Sequence, residues 1–221
     1  MLIVHNQELR ETIYNNIRSN VVKERVGIHL SDTIYCSRKA YFRKLGLSPK
    51  PSNDLCVLWM TGYAFQAYMF PLEKEWTIII DSINCTPDIP SGIEVKSTRM
   101  SSKKFDLDNV EQYKRQILGY CKALNKTEYD LVVFFVCGDY KPPFPSLDCW
   151  HIVATQEEID ANWRDVLNRA VKIQVGLETG IPPEPDCMDW EWERCECIEL
   201  CQDTVCWRKK HIINSKGGKK K

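Results

Sequence analysis

The chain has 221 residues, in which 30 lysines and arginines balance 30 aspartates and glutamates to give a formal net charge of zero. This length suits one large domain, or one domain with a small appendage, and the mixed composition is typical of a soluble globular protein. The balanced charge excludes binding to a polyanion by bulk charge alone, so a nucleic-acid surface would need local basic segments such as residues 23–44 and 208–221.

The longest apolar run, residues 131–137, is far too short to span a bilayer. The first residues lack the basic region and the cleavage site of a secretory signal. We therefore expect a cytoplasmic protein without a membrane partner. In that compartment, eleven cysteines indicate metal or redox chemistry rather than a framework of disulfides.

The predicted elements, taken in chain order, alternate between helices and strands. Helices are predicted for residues 7–23, from a cap at Ser31 to Gly46, and, after a loop at 48–54, for residues 57–70, 111–124 and 156–178. Strands are predicted for residues 76–84, 130–137 and 149–154. This order predicts an α+β fold, close to α/β, in which helices flank a central mixed β-sheet.

The stretch CTPDIPSGIEVKST, residues 85–98, predicts a hairpin around a loop of three residues, 90–92. Gly92 then takes the last loop position, where a left-handed conformation is commonly required. Because side chains alternate along a strand, such a hairpin has one polar face and one aliphatic face. The register pairs Ile89 with Ile93, Asp88 with Glu94, and Thr86 with Lys96.

The polar face, with Asp88, Glu94 and Lys96, predicts a metal-dependent hydrolytic site. Directly opposed residues have Cβ atoms about 5 Å apart, so two carboxylates there repel each other unless a cation lies between them. Mg²⁺ or Mn²⁺ takes oxygen ligands and keeps positions open for water and a phosphate oxygen, and a neighbouring lysine can orient that water. These parts are the ones that phosphodiester hydrolysis requires.

Two other interpretations of this stretch stay open. Asp81 is a second candidate acid, although its odd spacing from Asp88 would place it on the opposite face. The three polar residues could also be a turn followed by the solvated edge of an amphipathic strand.

The hairpin resembles the PD-(D/E)XK nuclease superfamily, with PD at residues 87–88 and EVK at residues 94–96. The chain is most similar to the RecB-like branch, whose Gln-x-x-x-Tyr motif on the following helix is matched by QILGY at residues 116–120. The closest likeness is to the iron–sulfur exonucleases of CRISPR adaptation, the fourth CRISPR-associated protein family. Those proteins carry one cysteine in an early YCxRKAY helix and three near the C-terminus, and this chain has YCSRKAY at residues 35–41. The resemblance covers about residues 28–207.

The resemblance implies a restriction-endonuclease-like core and a metal-dependent DNA exonuclease that prefers single-stranded ends. The site residues that it implies are Asp88, Glu94 and the carbonyl of Val95 as ligands of Mg²⁺ or Mn²⁺, Lys96 beside the attacking water, and Gln116 and Tyr120 as contacts of DNA and supports of the metal site. The implied pathway is CRISPR spacer acquisition, with CRISPR integrase proteins as candidate partners. A DNA repair or viral recombination nuclease of the same superfamily, and a DNA-binding subunit with little catalysis, are alternatives.

One departure from the family concerns its first nuclease motif. That motif commonly reads Gly-x-x-x-His, with the histidine as a metal ligand, whereas this chain has GYAFQ at residues 62–66. Gln66 is therefore the predicted fourth metal ligand, through its carbonyl oxygen, which binds more weakly than imidazole and without charge. This departure is the reason for the alternative of a DNA-binding subunit.

A [4Fe-4S] cluster is the second cofactor that the resemblance implies. The family spacing Cys-x2-Cys-x5-Cys is kept in its overall length, but the middle cysteine is shifted by one residue. The predicted ligands are Cys36, Cys197, Cys201 and Cys206, with Cys195 as a substitute and Cys187 upstream. Structural zinc stays open as the alternative, and either group would join the N-terminal helix to the C-terminal segment. The other cysteines are expected to be small buried hydrophobic residues, namely Cys56, Cys85, Cys121, Cys137 and Cys149.

A basic helix in the first part of the chain is predicted to bind DNA through Arg38, Lys39, Arg43 and Lys44. Aromatic residues interleave with these cations, and such a surface holds single strands without sequence preference. The alternative is the solvated side of an amphipathic helix. The predicted domains are an N-terminal helical region with one cluster cysteine (1–70), the nuclease core (71–180), the cysteine-rich cluster segment (181–210) and a basic tail (211–221).

Overall fold

The computed structural model of the chain describes residues 7–22, 25–71, 76–136, 146–193 and 195–202. These residues form a mixed α+β fold, as predicted. The helices are α1 (Gln7–Val21), α2 (Leu30–Ile34), α3 (Ser37–Lys44), α4 (Asn53–Met69), α5 (Glu111–Leu124), α6 (Gln156–Thr179), α7 (Asp189–Glu193) and α8 (Ile198–Gln202), with a 3-10 turn at Leu107–Asn109. The strands are β1 (Ile28–His29), β2 (Ile78–Ile80), β3 (Ile83–Cys85), β4 (Ile93–Thr98), β5 (Glu128–Phe135) and β6 (Ser146–Val153).

The strands form two small mixed sheets rather than one central sheet within the described ranges. The first has the order β1-β3-β2, with β1 parallel and β2 antiparallel to β3. The second has the order β4-β5-β6, with β4 parallel and β6 antiparallel to β5. The prediction of mixed sheets with parallel and antiparallel neighbours is confirmed. The prediction of a single central sheet was wrong, because the described strands form two sheets of three strands each.

The strand predicted for residues 76–84 is a tight hairpin instead. Asp81 and Ser82 both have positive φ angles, 49° and 63°, which is the backbone of a two-residue turn between antiparallel strands. The chain therefore reverses between β2 and β3. The isoleucine-rich composition predicted extended backbone in this segment, but the single strand was wrong because the chain turns at Asp81 and Ser82.

The described residues fall into two compact units. Unit 1 lies within residues 1–34 and 50–170, and unit 2 within residues 35–49 and 171–221. The division into domains at residues 70, 180 and 210 stays a prediction. None of the described helices is both long enough and apolar enough to cross a membrane.

The core of unit 1 contains β5 and the buried faces of α5 and α6. Strand β5 pairs on both edges, and α5 presents the apolar stripe that its spacing predicts. The α2 and α5 helices pack closely, since a Cβ atom at Gly119 would lie 2.7 Å from the side chain of Leu30. The fully or largely buried side chains are Ile117, Tyr120, Cys121, Tyr129, Leu131, Val133, Phe135, Ile159, Trp163 and Val166.

Two helix boundaries differ from the prediction for reasons of hydrogen bonding. The helix predicted from Ser31 to Gly46 is broken at Cys36, whose ψ angle of 123° is extended and whose N–H donates to the Glu191 carboxylate at 2.9 Å. Helix α4 begins at Asn53 rather than at residue 57, because the Ser52 hydroxyl accepts the N–H of Leu55 as an N-cap.

Candidate active site

The hairpin before β4 has the predicted loop. Ile89 and Ile93 form an antiparallel bridge with reciprocal N–H to C=O hydrogen bonds of 3.2 Å. Gly92 has a φ of 118°, so the last loop position does require the conformation that glycine favours. The Asp88 carboxylate then accepts the N–H of Val95 at 3.0 Å, which brings Asp88 against the start of β4.

Glu94 is a fully buried carboxyl residue, with 0% of its surface exposed. Its Oε1 accepts from the Lys96 ammonium group, whereas Oε2 has no hydrogen-bond partner among the described residues. Burial, and then the charge of Asp88, raise the pKa of the Glu94 carboxyl to about 8, against the opposing effect of Lys96. A buried carboxylate oxygen without a partner, next to a second carboxylate, is an arrangement that a cation would stabilise.

Lys96 lies on the same side of β4 as Glu94. Its ammonium nitrogen is 5.8 Å from the ring centroid of Tyr113 on α5, a cation–π distance. Tyr113 belongs to the predicted helix at residues 111–124, and its place over Lys96 is a contact between two elements that the sequence did not indicate.

Gln66 contacts the hairpin through the main chain. Its Nε2 donates to the carbonyl oxygen of Asp88 at 3.0 Å. A carbonyl oxygen can only accept, so the amide nitrogen must face Asp88 and the amide oxygen faces away from it. Helix α4 packs against β5 and β4 at two neighbouring points. Phe65 stacks on Phe134 of β5 with ring centroids 3.9 Å apart, and a Cβ atom at Gly62 would lie 2.9 Å from the Ser97 hydroxyl.

Gln116 and Tyr120 form a chain of hydrogen bonds on α5. Gln116 Nε2 donates to the Tyr120 hydroxyl at 3.0 Å, and that hydroxyl donates to the carbonyl of Thr86 at 2.8 Å. Burial, followed by the charges of Glu94 and Asp88, holds the pKa of Tyr120 well above its ordinary value. Tyr120 is 4% exposed, and its contact with Thr86 supports the segment that leads into Asp88.

Asp81 has a different partner. Its Oδ2 accepts from the indole N–H of Trp163 on α6 at 2.8 Å. The turn between β2 and β3 is thereby tied to α6, which gives this carboxylate a structural contact of its own.

Cysteines of unit 2 converge from both ends of the chain. The thiol of Cys187 donates to Cys36 and lowers its pKa to about 7, and Cys195 likewise lowers the pKa of Cys197 to about 6. Cys201 is 3% exposed and interacts electrostatically with Cys36 and Cys197. Cys187 was not predicted as a ligand, and its place beside Cys36 is a result of the fold.

Other cysteine predictions have mixed outcomes. Cys206 and Cys137 lie outside the described residues. Cys56, Cys85 and Cys121 are buried as expected, but Cys149 on the edge strand β6 is exposed. Across the described ranges, no group of three or more His, Cys, Asp or Glu side chains is arranged to hold a metal ion.

The basic residues of α3 are largely engaged within unit 2. Arg38 is 3% exposed and donates to the carbonyl of Pro183 at 2.6 Å. Lys39 and Arg43 both pair with Glu196, at 2.8 and 2.6 Å. These contacts favour a structural role for Arg38 and Lys39, and DNA binding by the helix, including Lys44, stays a prediction.

Comparison with known proteins gives a shared fold. No protein-family model matches the chain, and no curated protein sequence does. The crystal structure of SSO0001 is similar with a TM-score of 0.54 and 16% sequence identity, over 87% of this chain and 96% of that one. The chain therefore shares its fold with SSO0001.

Two further solved structures are exonucleases by name. The phage-related exonuclease from Haemophilus somnus 129PT has a TM-score of 0.49 and 10% identity, over 76% of this chain and 99% of that one. The alkaline exonuclease LHK-Exo from Laribacter hongkongensis has a TM-score of 0.43 and 10% identity, over 75% of this chain and 95% of that one.

Proposed function

We propose that the protein is a divalent-metal-dependent DNA exonuclease of the PD-(D/E)XK type that hydrolyses phosphodiester bonds at DNA ends, with single-stranded ends preferred. The observation that carries the proposal is the buried Oε2 atom of Glu94, which lacks a partner among the described residues and lies beside Asp88 and Lys96. Two carboxylates can bind a divalent cation, and a nearby lysine can act on the attacking water. These are the groups that such hydrolysis requires.

The residues present fit a hard divalent cation. The oxygen donors would be Asp88, Glu94 and the main-chain carbonyl of Val95, and the amide oxygen of Gln66 would join them only with its amide turned from the orientation that donates to Asp88. A bound Mg²⁺ or Mn²⁺ supplies a Lewis acid and a water of lowered pKa. Because burial and Asp88 both favour the protonated form of Glu94, a cation that replaces this proton also removes the repulsion between the two carboxylates.

The remaining residues act on the substrate and on the shape of the site. We expect the Lys96 ammonium group to orient the attacking water or to offset negative charge on the phosphate, and the Tyr113 ring lies 5.8 Å from its nitrogen. Tyr120 holds the carbonyl of Thr86 and thereby the approach of the chain to Asp88.

Replacement of Gln66 tests its role as a ligand. We expect Gln66→His to lower the Mn²⁺ concentration that gives half-maximal DNA cleavage, because imidazole is a better donor to Mn²⁺ than an amide oxygen. Metal titration of the cleavage rate measures this change. Gln156→His, at the exposed start of α6, is the control and should behave as the unmodified protein. An unchanged half-maximal concentration in Gln66→His would remove this residue from the metal site.

Replacement of Asp81 tests the choice between the two aspartates. Asp81→Ala removes the hydrogen bond to Trp163 and leaves a non-glycine residue without a polar side chain at positive φ. We expect the free energy of unfolding to fall by about 2 kcal/mol, as measured by urea denaturation, with little change in DNA cleavage under native conditions. Loss of cleavage in a protein that remains folded would instead assign Asp81 to the catalytic site.

The cysteines of unit 2 are proposed to hold a [4Fe-4S] cluster of mainly structural role. The proposed ligands are Cys36, Cys197, Cys201 and Cys206, with Cys195 and Cys187 as substitutes. Support comes from the sequence resemblance and from the pairing of Cys36 with Cys187 and of Cys197 with Cys195, although the described residues do not arrange three or more of these thiols as metal ligands. Zinc is the competing occupant of the same thiolates.

The pathway proposed from the sequence resemblance is CRISPR spacer acquisition, with integrase proteins as candidate partners. A repair or viral recombination nuclease is the alternative, because fold and motif do not identify a pathway. A DNA-binding subunit with little catalysis is favoured by one observation, the amide at position 66. This alternative is supported if both the unmodified protein and the Gln66→His variant bind DNA but do not cleave it at any Mn²⁺ concentration.

A further inference from the structure

Helix α4 carries no charged side chain after Asp54 in its first turn and yet lies mostly outside the core. Residues 55–71 carry no charged side chain, and Cys56 is the one fully buried residue of this helix. Its exposed large side chains include Trp59 at 36%, Tyr63 at 39% and Tyr68 at 87%. A helix that is uncharged after its first turn and leaves aromatic rings on the surface indicates a binding face.

The position of α4 relative to the candidate active site is defined by two contacts within unit 1. Gln66 donates to the carbonyl of Asp88, and the backbone at Gly62 approaches Ser97 so closely that a Cβ atom would lie 2.9 Å from its hydroxyl. Since Asp88 binds Val95 and Ser97 lies two residues further along β4, α4 runs antiparallel to β4. The residues that precede Gly62 on α4 therefore extend toward the carboxyl end of β4.

Trp59 and Tyr63 lie on the same face of α4 as Gln66. Their spacing of i, i+4 and i+7 places the three side chains in one row. With a rise of about 1.5 Å per residue, the row is about 10 Å long and the two rings are about 6 Å apart along the helix axis. Tyr68 lies on the opposite side of the same helix, about 180° from Trp59.

We infer that Trp59 and Tyr63 form a base-stacking platform that holds the terminal single-stranded nucleotides of DNA while their phosphodiester bond lies at Asp88 and Glu94. This inference rests on the proposed function and assigns to it a substrate contact. Aromatic rings accept any base, because every base has a π face, so the platform binds single strands without reading their sequence.

Charge on the adjoining segment fits the same occupant. Strand β4 ends at Thr98, and the residues that follow include three exposed cations, Arg99, Lys103 and Lys104. Cations beside aromatic rings are the combination that binds a single-stranded nucleic acid, with phosphates on the cations and bases on the rings.

Binding of a fluorescein-labelled oligothymidylate of about twelve nucleotides, followed by anisotropy without divalent metal, tests the platform. We expect Trp59→Ala and Tyr63→Ala each to weaken binding about tenfold or more, because removing one stacked ring has an effect of that size. Tyr68→Ala, on the opposite side of α4, is the matched control and should bind as the unmodified protein. All three side chains are exposed, and circular dichroism checks that each variant is folded.

Two further variants separate stacking from general apolar contact. Trp59→Phe keeps an aromatic face and should retain most of the affinity, whereas Trp59→Leu keeps apolar bulk without a π face and should behave as Trp59→Ala. Equal binding by the Phe and Leu variants would overturn the platform. So would unchanged binding in the alanine variants together with a change in their sedimentation, which would identify this face as a protein interface.

The platform and the proposed hydrolysis can fail separately. Oligonucleotide binding without metal does not depend on catalysis. A protein that binds DNA through Trp59 and Tyr63 but never cleaves it would support the platform and contradict the nuclease activity. If the protein cleaves DNA and the Trp59→Ala and Tyr63→Ala variants have unchanged Kd and KM for DNA, the nuclease activity is supported and the platform is contradicted.

Discussion

Glu94→Gln should reduce Mn²⁺-dependent cleavage of linear DNA by at least about a hundredfold while the protein remains folded. The amide has the same shape as the carboxylate but no charge, so it cannot offset a divalent cation, and its NH2 group replaces one of the two oxygen donors. Loss of one preorganised electrostatic contact at a reacting phosphate has effects of this size. The rate of release of nucleotides from single-stranded DNA, at saturating Mn²⁺, measures it.

Glu128→Gln provides the matched control for this experiment. Glu128 begins β5, the strand that pairs with β4, and its side chain is 65% exposed. The same chemical change at this position should leave the cleavage rate within a factor of about two of the unmodified protein. Full activity in Glu94→Gln, with metal dependence preserved, would show that Glu94 is not a catalytic carboxylate and would contradict the proposed site.

Cys36→Ser should abolish the brown colour expected of protein purified without oxygen, together with its broad absorbance near about 400 nm, and should lower its solubility. Three thiolates hold a cluster poorly, and loss of the cluster would free the segment that carries Cys197 and Cys201. Iron and acid-labile sulfide content measure the same loss chemically. A colourless unmodified protein with one equivalent of zinc would contradict the cluster directly.

Serine substitutions at neighbouring cysteines decide the ligand set. Cys121→Ser, in the buried face of α5, is the control and should keep the colour, because Cys121 belongs to unit 1. Bleaching by Cys195→Ser but not by Cys197→Ser would assign the ligand to Cys195. Bleaching by Cys187→Ser but not by Cys206→Ser would assign the fourth ligand to Cys187, which the structure places beside Cys36.

Local patterns predicted the parts of the site that depend on neighbours in the chain. The loop at residues 90–92 and the pairing of Ile89 with Ile93 followed from the alternation of strand residues around a glycine, and the structure confirms both. The apolar stripe of α5 followed from helical spacing in the same way. These features are governed by φ and ψ preferences and by periodicity within about ten residues, which a sequence displays directly.

Contacts between distant residues decided the remainder. The break of the predicted helix at Cys36 depends on the carboxylate of Glu191, and the burial of Arg38 depends on the carbonyl of Pro183, each more than a hundred positions away. The placement of Cys187 beside Cys36 is of the same kind.

The chemistry of Glu94 shows the same division. Alternation along the strand predicted that Glu94 lies on one side with Lys96, but the complete burial of Glu94 and its raised pKa were not predictable. Burial results from the packing of whole elements around a position, and no pattern near residue 94 records it. A sequence therefore identifies which groups can react, while the three-dimensional packing sets the solvent exposure that determines their charge.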